Sequence, residues 1–330
     1  MLTLRQATEA DAAEVRRLWR ENPVGGQVPY YFDGVPSGKP GYRLYLIEWD
    51  GWPVGTISAC PETLGDRPSL YLSDAVLDRA ARGRGLAARA VCRAFEDART
   101  PDTEVLTAVY SRDNDDTVRV LKSRHFTVLY ETPFEVSYLP ALRWKEPCPT
   151  TDYEQVCELV NSFYARHAFF QPLAPEALAR REDFTILAEQ CHGQMVTCVG
   201  VWRQQGMRRL MLVRPRRGLR AALWGVSLCN RRLRVAGDNG ARELVAHVLT
   251  EPAFASGHQA AFHRLLDTVG WGRDAHCFQL AAHPECPVAA EARRRLRFGF
   301  RSMFTVFRPS DRVGTVPAVR GPVYHDYSVL

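Results

Sequence analysis

The residues best placed to do chemistry form one short run, Arg82-Gly83-Arg84-Gly85-Leu86-Ala87. An apolar, β-rich stretch from Leu70 to Leu77 precedes it, and helical spacing follows it through RGRGLAARAVCRAFEDA. A strand, a glycine-rich turn and a helix N-terminus make an anion site, because unpaired N–H groups and the helix dipole both point at the ligand. Glycines at 83 and 85 let a diphosphate approach the backbone without a Cβ in the way, and the flanking arginines add charge. A dinucleotide fold would instead need G-x-G-x-x-G early in a βαβ unit with an acidic residue about 20 positions later, and neither is present.

Asp74 stands eight residues before Arg82, inside the same predicted strand. An aspartate is unfavourable there unless it has a task or a partner, so proton transfer and a hydrogen bond to a neighbouring strand are both open. Tyr30, Tyr31 and Phe32 stand in a row in the Gly- and Pro-rich stretch 22–41, where they line a pocket or cap the core edge. Other chemistries find little support. The nine cysteines are odd in number and widely spaced, with no C-x-x-C pair, and read as reduced packing thiols. His258, His263, His276 and His283 have no G-x-S-x-G nucleophile elbow to serve, which disfavours a hydrolase.

These residues need a scaffold, and 330 residues suffice for two domains. Residues 2–6 read as a strand, Thr8 with Asp11 as a helix cap, and Ala12, Val15, Leu18 and Trp19 as one helical face running to about Glu21. Two β-rich runs then meet at Asp50-Gly51, a strong hairpin pair. Strands at 69–77, 104–110 and 126–138 alternate with helices from Leu86 and at 115–123. That completes β-α-(α)-β-β-β-α-β-α-β by about residue 140. The proline-rich segment 141–150 reads as a linker, and residues 151–330 repeat the order of elements, with an arginine-rich helical insertion near 214–234 and a last strand at 323–330. The fold class is α/β with mixed sheets: two tandem domains, each a twisted sheet flanked by helices.

The first 150 residues carry 19 Lys and Arg against 21 Asp and Glu, and the remainder 24 against 16, so the basic character lies in the second half. Between Glu189 and Asp238 no acidic residue occurs, while ten arginines do. Such a face suits phosphate or RNA, and equally a solvated surface. No window approaches eighteen apolar residues and the start lacks a signal pattern, so the expectation is a cytoplasmic protein without membrane spans.

The pattern Arg82-x-x-Gly85-x-Ala87 after paired strands resembles the pyrophosphate loop of the GNAT N-acetyltransferases. Asn114-Asp115-Asp116-Thr117, leading a helix that ends at Arg124-His125-Phe126, resembles that family's second motif. The resemblance covers residues 3–138 and implies acetyl-CoA, or another acyl-CoA, as cofactor. Arg82, Gly83, Arg84, Gly85, Leu86 and Ala87 would hold its diphosphate. Val76 and Leu77 would offer backbone groups to the pantetheine arm and thioester carbonyl, with Asn114 on the other side. Asp74 would be the base that takes the proton of a primary amine, with Tyr71 as the weaker alternative, and Tyr30, Tyr31, Phe32 and Tyr71 would contact the acceptor. Two positions depart from the pattern: Leu121 stands where the family often has an acidic tyrosine, and His125 where it has glycine. Tyr110 is the substitute acid.

In the second half the resemblance rests on element order and on Phe298-Gly299-Phe300; the loop 253–258 keeps one glycine and no arginine, which implies a degenerate domain. The reading is therefore direct acyl transfer to a small-molecule amine. Two alternatives stay beside it: an aminoacyl transferase using aminoacyl-tRNA on a doubled fold of the same kind, and a CoA-binding module without catalysis.

Overall fold

A computed structural model describes residues 1–22, 30–31, 41–112, 114–140, 148–181, 184–203, 209–212, 242–269, 275–295, 297–312, 319 and 321–325. Up to residue 140 the elements are β1 (Leu2–Gln6), α1 (Ala12–Glu21), β2 (Tyr30–Tyr31), β3 (Arg43–Trp49), β4 (Trp52–Leu64), β5 (Arg67–Leu77), α2 (Leu86–Ala98), β6 (Val105–Ser111), α3 (Asp115–Leu121) and β7 (Phe126–Pro140). Beyond it come α4 (Tyr153–Tyr164), α5 (Pro175–Ala179), β8 (Phe184–Cys191), β9 (Gln194–Trp202), β10 (Arg209–Leu212), β11 (Arg242–Leu244), β12 (Ala246–Phe254), α6 (Gln259–Thr268), β13 (Cys277–Ala282), α7 (Pro287–Arg293) and β14 (Phe298–Pro309). The chain divides into two units that are not simply consecutive. The first takes Met1–Pro133, Gly206–Arg214 and Arg301–Ala318; the second takes Phe134–Gln205, Pro215–Phe300 and Val319–Leu330.

In the first unit the Asp11 carboxylate accepts the Thr8 N–H at 2.8 Å, which starts the first helical turn, and Val15, Leu18 and Trp19 turn inward. Asp50 and Gly51 both have positive φ (52° and 84°), the conformation a two-residue hairpin demands, and they join β3 to β4. β1, β3, β4 and β5 pair antiparallel in sequence order, and β6 joins β5 in parallel. Helix α2 covers one face of this sheet through Leu86, Val91 and Phe95 packed on Leu70, Leu72 and Leu106. Helix α1 covers the other against Leu44, Leu46 and Val76. The strand beside β6 comes from far along the chain: Ser302 to Phe307 of β14 pair antiparallel with Ser111 to Leu106. Likewise β2 pairs with β10, Tyr31 opposite Arg209.

Two irregularities shape the middle of this sheet. Parallel pairing of β5 with β6 ends at Leu72 and Ala108, although β5 continues to Leu77 and β6 to Ser111. On its other edge β5 carries a bulge: Val76 faces Thr56 and Ser73 faces Ser58, so Asp74 and Ala75 together face Ile57. Asp74 holds φ 51° there, a conformation that costs a non-glycine residue about 1–3 kcal/mol.

The second unit has the same plan. β8, β9 and β12 pair antiparallel, β13 joins β12 in parallel, and residues 135–140 of β7 complete the sheet on β13. Its core gathers Val160, Phe262, Leu265, Val288 and Leu280. Both units are thus mixed sheets flanked by helices. Helix α5, with Pro175 in its first turn, was not anticipated from the sequence. In place of an expected strand over 323–330, the described residues there give only a bridge between Val323 and Ala168, and 326–330 lie outside the described residues. The arginine-rich insertion 214–234 and most of the expected linker also lie outside them.

Candidate active site in the first unit

The run from Leu77 to Leu86 folds as the local chemistry requires. Residues Arg79–Ala81 make one tight helical turn, and the chain then passes Gly83 at φ 78° and Gly85 at φ 68° before α2 begins. No side chain caps α2, and no acidic residue lies in its first turn, so its leading N–H groups and dipole meet no competing carboxylate. A Cβ built on either glycine would meet nothing within 4 Å. The glycines are therefore set by backbone conformation, and the space above them is open. That arrangement fits a diphosphate. Arg82 braces the turn, its Nε donating to the Leu77 carbonyl at 3.0 Å and its Nη1 lying 3.4 Å from Asp116 at the start of α3. Arg84 is exposed.

Val76 and Leu77 pair with Thr56 and Gly55 of β4, and beyond Leu72 the described pairing of β5 is on that edge alone. Among the backbone groups there, the Leu77 carbonyl is already taken by Arg82 Nε. Gly55 is required by this closeness, since a Cβ on it would sit 2.3 Å from the Val76 carbonyl oxygen. Asn114 caps α3, accepting the Thr117 N–H at 3.2 Å with its side-chain oxygen, so its amide group remains available.

The half-buried Asp74 is gripped by hydroxyls. Its Oδ2 accepts from Tyr42 at 3.0 Å and lies 2.9 Å from both Ser58 Oγ and Ser73 Oγ. The two serines share a 2.6 Å hydrogen bond with each other, so that one donates to the carboxylate and the other to its neighbour. The Asp74 backbone carbonyl accepts from Thr56 Oγ1 at 2.8 Å, and Trp19 Nε1 donates to that same hydroxyl at 2.7 Å. Burial, with the Asp74 charge second, pushes the Tyr42 phenol well above its ordinary range, so it stays a donor. Sequence reasoning missed Tyr42, Ser58, Ser73 and Thr56. The signal was present in the demand of a strand aspartate for partners, and in the cross-strand pair Ser58–Ser73 that the bulge brings to it.

Other sequence-predicted residues fall differently. Tyr110 donates to the Glu131 carboxylate and accepts from Thr305 at 3.4 Å. Burial first, and then Glu131, push its phenol up to about 12. Leu121 is buried in the α2 core, so that position offers no acid. Tyr71 is fully buried, at 0% exposure, and forms an interior wall and not a surface an acceptor meets. Tyr30 and Tyr31 lie in β2, while Phe32 falls outside the described residues. Among the described residues no cluster of His, Cys, Asp or Glu could hold a metal, and no helix is long and apolar enough to cross a membrane.

Residues 12–126 match the model of the acetyltransferase (GNAT) family. No curated protein matches the chain in sequence. Among solved structures, Saccharomyces cerevisiae N-myristoyltransferase with bound myristoyl-CoA and inhibitors is similar with a TM-score of 0.59 and 12% identity, covering 93% of this chain and 80% of its own. A GCN5-related N-acetyltransferase from Sphaerobacter thermophilus is similar with a TM-score of 0.54 and 12% identity, covering 96% of this chain and 98% of its own. At such identities the likeness is one of fold, and it spans both units.

Proposed function

We propose that the chain, whose residues 12–126 match the acetyltransferase (GNAT) family, is an acyl-CoA-dependent N-acyltransferase, with acetyl-CoA as its default donor and a small-molecule primary amine as acceptor. The observation that carries this reading is the conjunction of an uncapped helix start behind Gly83 and Gly85 with the gap that opens between β5 and β6 past Leu72. Acyl-CoA, when bound, supplies the activated thioester. The N–H groups of Gly83 to Ala87 and the charge of Arg82 and Arg84 hold its diphosphate. Val76, Leu77 and Asn114 position the arm, and an N–H of β5 facing the gap stabilises the oxyanion formed as the amine attacks.

Asp74 takes the proton of the incoming ammonium, directly or through water, so that the nitrogen lone pair is free to form the C–N bond as the C–S bond breaks; the nitrogen's second proton then passes to the departing thiolate or to solvent. Its Oδ2 is surrounded by the hydroxyls of Tyr42, Ser58 and Ser73, which leaves Oδ1 for the ammonium. Tyr110 is set aside as the acid: a phenol near 12 is a weaker acid than a thiol near 8.5, and a thiolate leaves without help. Its role in this reading is to tie β6 to Glu131. Tyr30, Tyr31 and Phe32 remain the acceptor-side candidates. The test is thiol release from acetyl-CoA across a panel of primary amines. Amine-dependent release that Asp74→Asn abolishes supports the reading, and release from no amine by the wild type overturns it.

A further inference from the structure

The second unit repeats the bulge that carries Asp74. There Thr250 faces Gly200 and Ala253 faces Cys198, so Glu251 and Pro252 together face Val199. Parallel pairing ends two residues before the acidic residue in both units, at Leu72 with Ala108 and at Leu249 with Leu280. Glu251 holds φ 44°, as Asp74 holds 51°. The brace on the bulge carbonyl recurs as well: Thr56 donates to the Asp74 carbonyl at 2.8 Å, and the Cys198 thiol donates to the Glu251 carbonyl at 3.8 Å. An acidic residue in strained backbone, at the same step of the same ladder, identifies Glu251 as the counterpart of Asp74.

The helix that follows also starts uncapped behind one open positive-φ glycine, Gly257, but the surroundings of the counterpart differ from those of Asp74. The connection from β5 to α2 runs eight residues, 78–85, with Arg79, Arg82 and Arg84; that from β12 to α6 runs four, 255–258, without arginine. The shorter turn has one positive-φ glycine, Gly257, where the longer has Gly83 and Gly85. Pro252 stands where Ala75 does and brings no N–H, and its carbonyl is taken by the Tyr164 hydroxyl at 2.7 Å. Glu251, 3% exposed, pairs with Arg181 at 2.6 Å. Where the pairing of β12 with β13 ends, Val323 and Tyr324 line the same space as Thr250, Glu251, Ala281 and Ala282. The Ala168 N–H donates to the Pro322 carbonyl at 2.8 Å and the Tyr324 N–H to the Ala168 carbonyl at 2.9 Å. The Tyr324 ring packs edge-on against Tyr164 at 4.7 Å and Phe170 at 5.0 Å. What remains is a cavity of about 20 Å³, room for roughly one water.

We propose that the second unit contains a duplicated acyl-transfer cleft which residues 321–325 occupy as a built-in plug, with Tyr324 the side chain that keeps it shut, so that each chain takes a single acyl-CoA. The statement about acyl-CoA rests on the function proposed for the first unit; the plug itself does not. His167 reports on it, because both of its ring nitrogens are buried at this cavity with no hydrogen-bond partner. The experiment is diethylpyrocarbonate labelling of the full chain with peptide mapping. Labelling of His167 is expected to be slow in the wild type and ~10-fold faster in Tyr324→Ala, as a local opening would make it; equal rates in the two overturn the plug. Should that variant fail to fold, hydrogen exchange of the wild type decides: slow exchange at the Ala168 and Tyr324 amides supports the plug, and fast exchange at both overturns it. Acetyl-CoA calorimetry adds the stoichiometry. One equivalent supports the proposal, and two equivalents overturn it. No binding at all sinks the function proposed for the first unit, while His167 protection still decides the plug.

Discussion

The phenol of Tyr42 donates a 3.0 Å hydrogen bond to Oδ2 of Asp74 across 32 residues of sequence. With Ser58 and Ser73 on the same oxygen, it fixes the rotamer of a carboxylate set in strained backbone. Tyr42→Phe keeps the ring and removes one donor to a charged group, about 1.5 kcal/mol, and is expected to lower kcat/KM about tenfold. Acetyl-CoA affinity should not change. Thiol-release kinetics beside calorimetry separate the two effects, and an equal loss in both would place Tyr42 in the fold alone.

The glycines divide by mechanism. Gly85→Ala meets no neighbour, so its cost is conformational, about 1 kcal/mol for a left-handed residue. Gly55→Ala places a methyl against the Val76 carbonyl, 2.3 Å away. It is expected to cost about 1–3 kcal/mol as overpacking and to disturb the bulge with it. Thermal melts should therefore rank Gly55→Ala below Gly85→Ala, with turnover falling in the same order.

A fragment ending at residue 140 lacks the strand that pairs with β6. Phe304, Val306 and Phe307, none more than 1% exposed, leave with it, and so does the edge-on contact of Phe307 with Phe126 at 5.5 Å. The β6 edge is then bare. Circular dichroism of residues 1–140 is expected to show no cooperative thermal transition where the full chain shows one; a sharp transition would contradict the strand assignment.

Burial, with His283 second, holds the His167 imidazole down to about 4, and burial lowers His283 as well, against the opposing pull of Glu285. A histidine depressed on folding stabilises the native state fully above its unfolded value near 6.5. That stability is lost as pH falls toward about 4. Melting temperature should decline across this window in the wild type. In His167→Gln the decline should be shallower, and identical slopes would remove His167 as a source.

Much of this was legible beforehand where chemistry is local. Asp50-Gly51 and Gly83-x-Gly85 announce positive φ by residue type, and α1 and α2 announce themselves by spacing, while the five-residue α5 is too short to do so. Asp74 was visible as an acidic residue out of place in a strand, but its partners were not, because Tyr42 and Ser58 reach it only through strand register and a bulge that no glycine marks. The pairing of 302–307 with β6 was equally hidden, since nothing in either strand's pattern distinguishes a neighbour next in sequence from one nearly 200 residues away. Tyr110 was read as an acid from its place at a strand end; its burial beside Glu131 is a tertiary fact.

The central claim is that one acyl-CoA binds at the turn before α2. Isothermal calorimetry of acetyl-CoA with the wild type and with Gly85→Glu tests it most directly, because the variant places charge and bulk where the diphosphate should sit. The account predicts about one equivalent bound by the wild type and none by the variant. Binding that survives in the variant, or is absent from the wild type, would contradict it.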